Sequence, residues 1–270
     1  MSPSTLTQTR RSAVVSSLRT IGTLGTVLAL TILGASILLR LTTQFGVDGA
    51  TLSVLPPGVE STTRMVHRLA ATSLGLMALA AAILCWLKRR TLPETVQPVI
   101  WMVAATLLLA VIGPLTPGYR YSAVTIANVA AGSVLLATCW WLREALTHPK
   151  SPASAWRPVV RATLVIFLLH IALGAAASDF AMRGTRWVAF LHSGSAMLAV
   201  LLLTSILWDC RKHARSGKLV FAMAGMLIIQ VGLGLVSLWM EVRPVGLSFV
   251  HAMLSPFLLA GLVAIAERED

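Results

Sequence analysis

Charge is what this chain most lacks. Of its 270 residues only 12% are Asp, Glu, Lys or Arg, against roughly 25% in a soluble domain. Acids are rarer still, at ten. A water-covered surface cannot be built from so few charged groups, so a soluble globular fold is excluded. Cysteine is also scarce. Cys85, Cys139 and Cys210 include no pair at CxxC spacing, which removes zinc-ribbon and thioredoxin-like readings and leaves reduced thiols acting as small hydrophobes. No Walker loop, GxGxxG, HExxH or Ser/His/Asp arrangement occurs, so the motif-borne nucleotide, dinucleotide, zinc-protease and serine-hydrolase chemistries have no support. The bases outnumber the acids and give a net charge of +12. They are not interleaved with aromatics on a polar face, so nucleic acid is not an expected partner.

What is present is apolar surface, 56% of the residues, which membrane lipid can cover. A helix needs about 20 apolar residues to cross the hydrocarbon layer. Eight stretches qualify: Ile21–Leu41, Met65–Leu87, Gln97–Leu115, Tyr119–Leu142, Pro158–Ala177, Trp187–Trp208, Lys218–Trp239 and Gly246–Ala266. Charged or turn-rich connectors separate them, such as Lys88-Arg89-Arg90 and Thr116-Pro117-Gly118. The expectation is an all-α membrane protein with eight transmembrane helices.

The bases set its orientation. Assigning the connectors alternately to the two sides puts fifteen of the 22 Lys and Arg on one side and seven on the other. The richer side is expected to be cytoplasmic, with both termini there. Met1–Thr20, with Arg10, Arg11 and Arg19 and no acid, reads as a cytoplasmic flank or as a transit peptide. The flank suits an uncleaved protein of a bacterial inner membrane. The seven outer arginines are Arg40, Arg64, Arg68, Arg120, Arg183, Arg186 and Arg243. They read either as snorkelling side chains or as cations for an outer-side anion such as a carboxylate-bearing cofactor.

Helices one to four resemble helices five to eight. Leu33-Gly34-Ala35 matches Leu173-Gly174-Ala175, and His67 matches His192. Four helices return the chain to its starting side, so the halves are parallel four-helix-bundle repeats related by an axis along the membrane normal. The first half covers residues 21–146, the linker 147–157 and the second half 158–266.

Histidine carries the functional signal. His67, His192 and His251 each lie early in a helix that starts on the outer side. Intramembrane ionisable groups point to function, and two imidazoles from different helices are what bis-histidine heme ligation requires. His192 and His251 suit it. The repeat asks for a partner to His67 near position 126 to 128, where Ile126, Ala127 and Asn128 stand instead. His170 and Gln230, each mid-helix and a few residues before a glycine, read as helix–helix hydrogen-bonding groups. Glu60 is seven residues before His67 and reads as a loop acid or a proton relay. His148 and His213 lie in connectors.

These features together resemble the heme A synthase family. The resemblance rests on Leu33–Thr42 at the exit of helix one, Met65-Val66-His67-Arg68-Leu69, the His192 helix, and the Gln230/Gly232/Gly234 helix followed by the His251 helix. It implies an enzyme that oxidises a methyl group of heme O to the formyl group of heme A for cytochrome oxidase assembly. It implies a heme b held by His192 and His251, and His67, aided by Glu60, facing the substrate heme iron. Arg40, Arg64 and Arg68 would lie near heme propionates. Heme O synthase, the oxidase-assembly machinery and a second copy of the chain follow as expected partners, beside lipid. The chain departs from the family at Asn128, where a histidine is usual, at Arg64, where a glutamate is frequent, and in having no cysteine pair in its first outer loop. All three departures fall in the first half. They leave a non-catalytic b-type heme protein for electron transfer or oxidase assembly as the alternative. A transporter or structural membrane protein with incidental histidines is the third reading.

Overall fold

A peptide group in hydrocarbon has no water to bond, so each crossing segment closes its hydrogen bonds within itself. The computed structural model describes residues 3–45, 51–115, 122–147, 157–182, 187–211, 217–240 and 244–269. The helices are α1 (Pro3–Leu41), α2 (Pro57–Lys88), α3 (Val96–Ile112), α4 (Ser122–Ala145), α5 (Arg157–Met182), α6 (Trp187–Cys210), α7 (Gly217–Trp239) and α8 (Val245–Glu269). All eight are long and apolar enough to cross a membrane. Short 3₁₀ turns precede and follow α3. The connector from α1 to α2 contains two three-residue strands, β1 (Thr43–Phe45) and β2 (Thr51–Ser53), paired antiparallel. Most of the linker, together with Asp48, Arg120, His148, Arg183, Arg186, His213, Glu241 and Arg243, lies outside the described residues.

α1 and α2 extend furthest beyond their apolar runs. α2 begins at Pro57, not Met65, because Pro56-Pro57 sets a helical start and Pro57 has no N–H to satisfy. Its 32 residues span about 48 Å at 1.5 Å each, well over the hydrocarbon thickness. Glu60 is therefore in a helical first turn rather than a loop.

In the first half α1 packs on α2 and α4, and α3 packs on α2 and α4. In the second half α5 packs on α6 and α8, and α7 packs on α6 and α8. Each half is thus a closed ring of four helices with its own core. Leu18, Leu33, Leu74, Met102 and Leu136 fill the first. Phe167, Leu203, Ile206, Met223, Leu258 and Leu262 fill the second. Large apolar side chains elsewhere face outward, including Phe190, Phe221 and Trp239 at about 80 to 90% exposure, as lipid contact allows.

The halves meet through α4 and α8 at the centre, with α1 on α8 and α5 on α4. Exchanging the halves maps this pattern onto itself, as parallel repeats require. Small residues let α1 and α4 approach closely: a Cβ on Gly22 would be 2.9 Å from the backbone N of Arg143 and 3.0 Å from Cys139 O. The ends of α4 and α8 are tied by charge. Glu144, fully buried, accepts from Arg143 Nη1 at 2.7 Å and from Arg268 Nε at 2.9 Å. Beside them Trp141 Nε1 donates to Glu267 Oε2 at 2.8 Å. The local order is Arg-Glu on α4 and Glu-Arg on α8, so opposite charges face each other across the pseudo-twofold.

Candidate functional site

The second bundle brings three histidines together. His170 comes from α5, His192 from α6 and His251 from α8. The rings of His170 and His192 are stacked, with centroids 4.4 Å apart and planes 9° from parallel. His192 and His251 have centroids 6.5 Å apart and planes at 89°. Phe167, one turn before His170 and buried, meets the His170 ring at 5.8 Å with the planes tilted by 50°.

Each ring has a cause in the chain. Gly174 on α5 presents bare backbone to His192: a Cβ there would lie 2.9 Å from Cε1. Gly234 on α7 does the same for His251 at 3.4 Å. One turn before each glycine a buried polar group bonds a serine 25 residues further on. His170 Nδ1 lies 2.9 Å from Ser195 Oγ, and Gln230 Nε2 donates to Ser255 Oγ at 2.7 Å. Ser195 Oγ also lies 2.8 Å from His192 O, so the serine bridges the His170 ring and the backbone of the His192 turn. The expected helix–helix hydrogen bonding of His170 and Gln230 is present, with both serines as partners.

This geometry exposes a repeat finer than the two halves. His170, Gly174 and Ser195 recur sixty residues later as Gln230, Gly234 and Ser255, and Phe190-Leu191-His192 recurs as Phe249-Val250-His251. The hairpins α5–α6 and α7–α8 are therefore two copies of one unit, and they face each other across the second bundle. The signal was in the sequence as offsets of 60 residues for the first three and 59 for the Phe-x-His triplet, hidden by the larger resemblance between halves. The first half keeps only its outline. Leu30 and Leu109 stand where the polar groups would precede Gly34 and Gly113, and Asn128 stands on α4.

The remaining expected residues scatter. His67 is half-buried on α2. Glu60 pairs with Arg64 at 2.6 Å one turn away. Seven residues, close to two turns, place Glu60 and His67 on one side of α2. Arg68 is exposed. Asn128 Nδ2 lies 3.3 Å from Ser36 Oγ, across to α1. Gly34 meets Phe249 of α8 rather than a histidine. Arg40 is buried, with Nη1 3.5 Å from Ala175 O on α5, so it reaches across to the second half. Asp179, also buried, is one turn further along α5.

The pair His192/His251 can be tested against a heme. Metal–imidazole bonds are about 2 Å long, and each nitrogen lies about 1 Å from its ring centre. Two imidazoles on opposite faces of one iron therefore have centroids roughly 6 Å apart. The observed 6.5 Å fits. α6 and α7 are the least closely packed neighbours in the bundle, and a Cβ on Gly194 or Gly232 would meet nothing within 4 Å. Among the described residues no cluster of three or more His, Cys, Asp or Glu is arranged for a bare metal ion. Scans against models of protein families and against curated proteins found no match to this chain.

Proposed function

We propose that the chain is a heme-binding membrane oxidoreductase of the heme A synthase type, with a b-type heme between His192 and His251. One observation supports the heme above the others: two copies of a hairpin unit each offer a half-buried imidazole against a glycine, 6.5 Å apart. A twofold-related pair of nitrogen ligands suits a flat ligand with two equivalent faces. Such a heme supplies one-electron transfer. The chain's part is to hold both imidazoles on rigid helices, with Gly174 and Gly234 making room. Oxidation of the heme O methyl to the formyl of heme A falls to the first half, where His67 is the single candidate iron ligand, and an iron with an open position suits oxygen chemistry. The excess of Lys and Arg supports a bacterial inner membrane with both termini inside and the histidines near the outer face.

A second reading has its own support. Asn128 is engaged with Ser36, and Leu30 and Leu109 replace the polar groups of the second half. A first half without a second ligand favours a non-catalytic b-type heme protein serving electron transfer or oxidase assembly. The charge-linked ends of α4 and α8 disfavour a transporter, in which one repeat must rock against the other.

Purified protein should give a low-spin b-type reduced-minus-oxidised spectrum that is lost in His192→Ala and in His251→Ala. Co-expression with a source of heme O should yield heme A if the chain is the enzyme, and none under the second reading. A colourless protein would rule out both.

A further inference from the structure

The two hairpins of the second bundle carry the same residue at Gly174/Gly234, Phe190/Phe249, His192/His251 and Ser195/Ser255, and differ in kind at one further position. Where α7 carries Gln230, α5 carries His170. Both are buried and both hydrogen-bond a serine of the following helix. Only His170 also places a flat ring against the neighbouring candidate ligand. It stacks on His192 at 4.4 Å and 9°. The His251 ring stands at 89° to that of His192.

We propose that His170 is a positioning residue that fixes the plane of the His192 imidazole, and so keeps the two ligand planes perpendicular. The proposal rests on the heme reading of His192 and His251. An imidazole ligand is free to turn about its bond to the side-chain carbon unless something holds its edges or faces. For His192, the edge meets Gly174, where even a Cβ would be 2.9 Å from Cε1. The face meets His170. His170 cannot follow a rotation of His192, because its Nδ1 is bonded to Ser195 Oγ and its other neighbour is buried Phe167. Ser195 is itself tied to the carbonyl of His192, so ring, serine and ligand form a closed loop across α5 and α6. The matching approach of Gly234 to His251 is looser, at 3.4 Å. Groups that orient a ligating histidine commonly act through its second nitrogen; here the orienting contact is made on the ring face.

The relative angle of two axial imidazoles has a direct spectroscopic signature. Perpendicular planes leave the two π-bonding iron orbitals nearly degenerate, and the ferric low-spin heme gives one strongly anisotropic resonance. Turning one plane toward the other separates those orbitals and gives a three-line rhombic spectrum.

The test is electron paramagnetic resonance and redox titration of the full-length, heme-loaded protein, comparing wild type, His170→Gln, His170→Phe and Ser195→Ala. His170→Gln installs the side chain of the sister hairpin and keeps a hydrogen-bonding group for Ser195 but removes the ring. It should convert the anisotropic signal to a rhombic one and shift the reduction potential, with heme retained. His170→Phe keeps a ring on His192 and should stay closer to wild type. Ser195→Ala frees His170 to turn and should broaden the signal. Wild-type signal and potential in His170→Gln, or equal changes in Gln and Phe, would overturn the proposal. If His170→Gln does not accumulate, Ser195→Ala decides: a broadened signal supports the clamp, an unchanged one overturns it. Loss of the heme reading is distinguished by a wild-type protein that holds no heme.

Discussion

The imidazole of His192 leans on the backbone of Gly174. A methyl group at position 174 would lie 2.9 Å from Cε1 and 3.4 and 3.5 Å from the two ring nitrogens. The ring cannot retreat on its stacked side, where His170 sits 4.4 Å away. Gly174→Ala is therefore expected to displace His192 and lower heme content per purified protein on the order of tenfold, the scale of support-shell losses. Gly234→Ala faces His251 at 3.4 Å and should lose much less. Pigment extraction from both variants checks the order, and equal losses would contradict it.

His67 separates the roles of the halves. It lies on α2, in a bundle whose core is distinct from that of His192 and His251. His67→Ala should leave the b-type spectrum at wild-type intensity and abolish heme A formation. Disappearance of the b-type spectrum in this variant would mean that the heme is assigned to the wrong half.

Glu144 is expected to be the most costly carboxylate to remove. Its side chain is fully buried and accepts from Arg143 and Arg268, the latter only 16% exposed. Glu144→Ala strips a buried cation of its partner, a change that costs about 3 kcal/mol or more. Thermal unfolding in detergent should show the loss, and Glu144→Gln, which can still accept from Arg268, should fall between the two. A Glu144→Ala protein as stable as wild type would show that the ion pair contributes nothing.

Gly22 and Gly261 make a matched pair of tests for packing. At Gly22 an added Cβ meets backbone, at 2.9 and 3.0 Å, so α1 and α4 would have to part. At Gly261 it meets Met223 Sδ at 2.7 Å, the adaptable part of a flexible side chain. Gly22→Ala should destabilise by about 1–3 kcal/mol and Gly261→Ala by less, although its contact is nominally shorter. Both proteins should keep the His192/His251 spectrum. The reverse order of unfolding temperatures would refute the argument.

The helices were legible because lipid demands long apolar runs, and all eight lie where those runs are. The start of α2 was not, because Pro57–Arg64 is polar and apolar length says nothing of a helix that continues beyond the hydrocarbon. Glu60 and Arg64 consequently read as loop and flank, whereas they form an i,i+4 pair on helix. In the site, His192 and His251 announced themselves as ionisable groups at matching depth. The bonding role of His170 was readable, but its stack on His192 was not, since ring contact depends on how two helices are rotated. The tie between Glu144 and Arg268 was hidden for a related reason. Charges at helix ends look like membrane flanks, and their pairing spans 124 residues.

The reversed order of charge at the ends of α4 and α8 bears on which half can recognise which. Were the first bundle to meet a second copy of itself in the same way, Glu144 would face Glu144 and Arg143 would face Arg143. The existing arrangement sets Glu144 against Arg268 instead. Like-with-like association is penalised and unlike association rewarded, a device for choosing one partner over another. Two bundles built on one plan have in this way become non-interchangeable, each suited to the other half and ill-suited to a duplicate of itself.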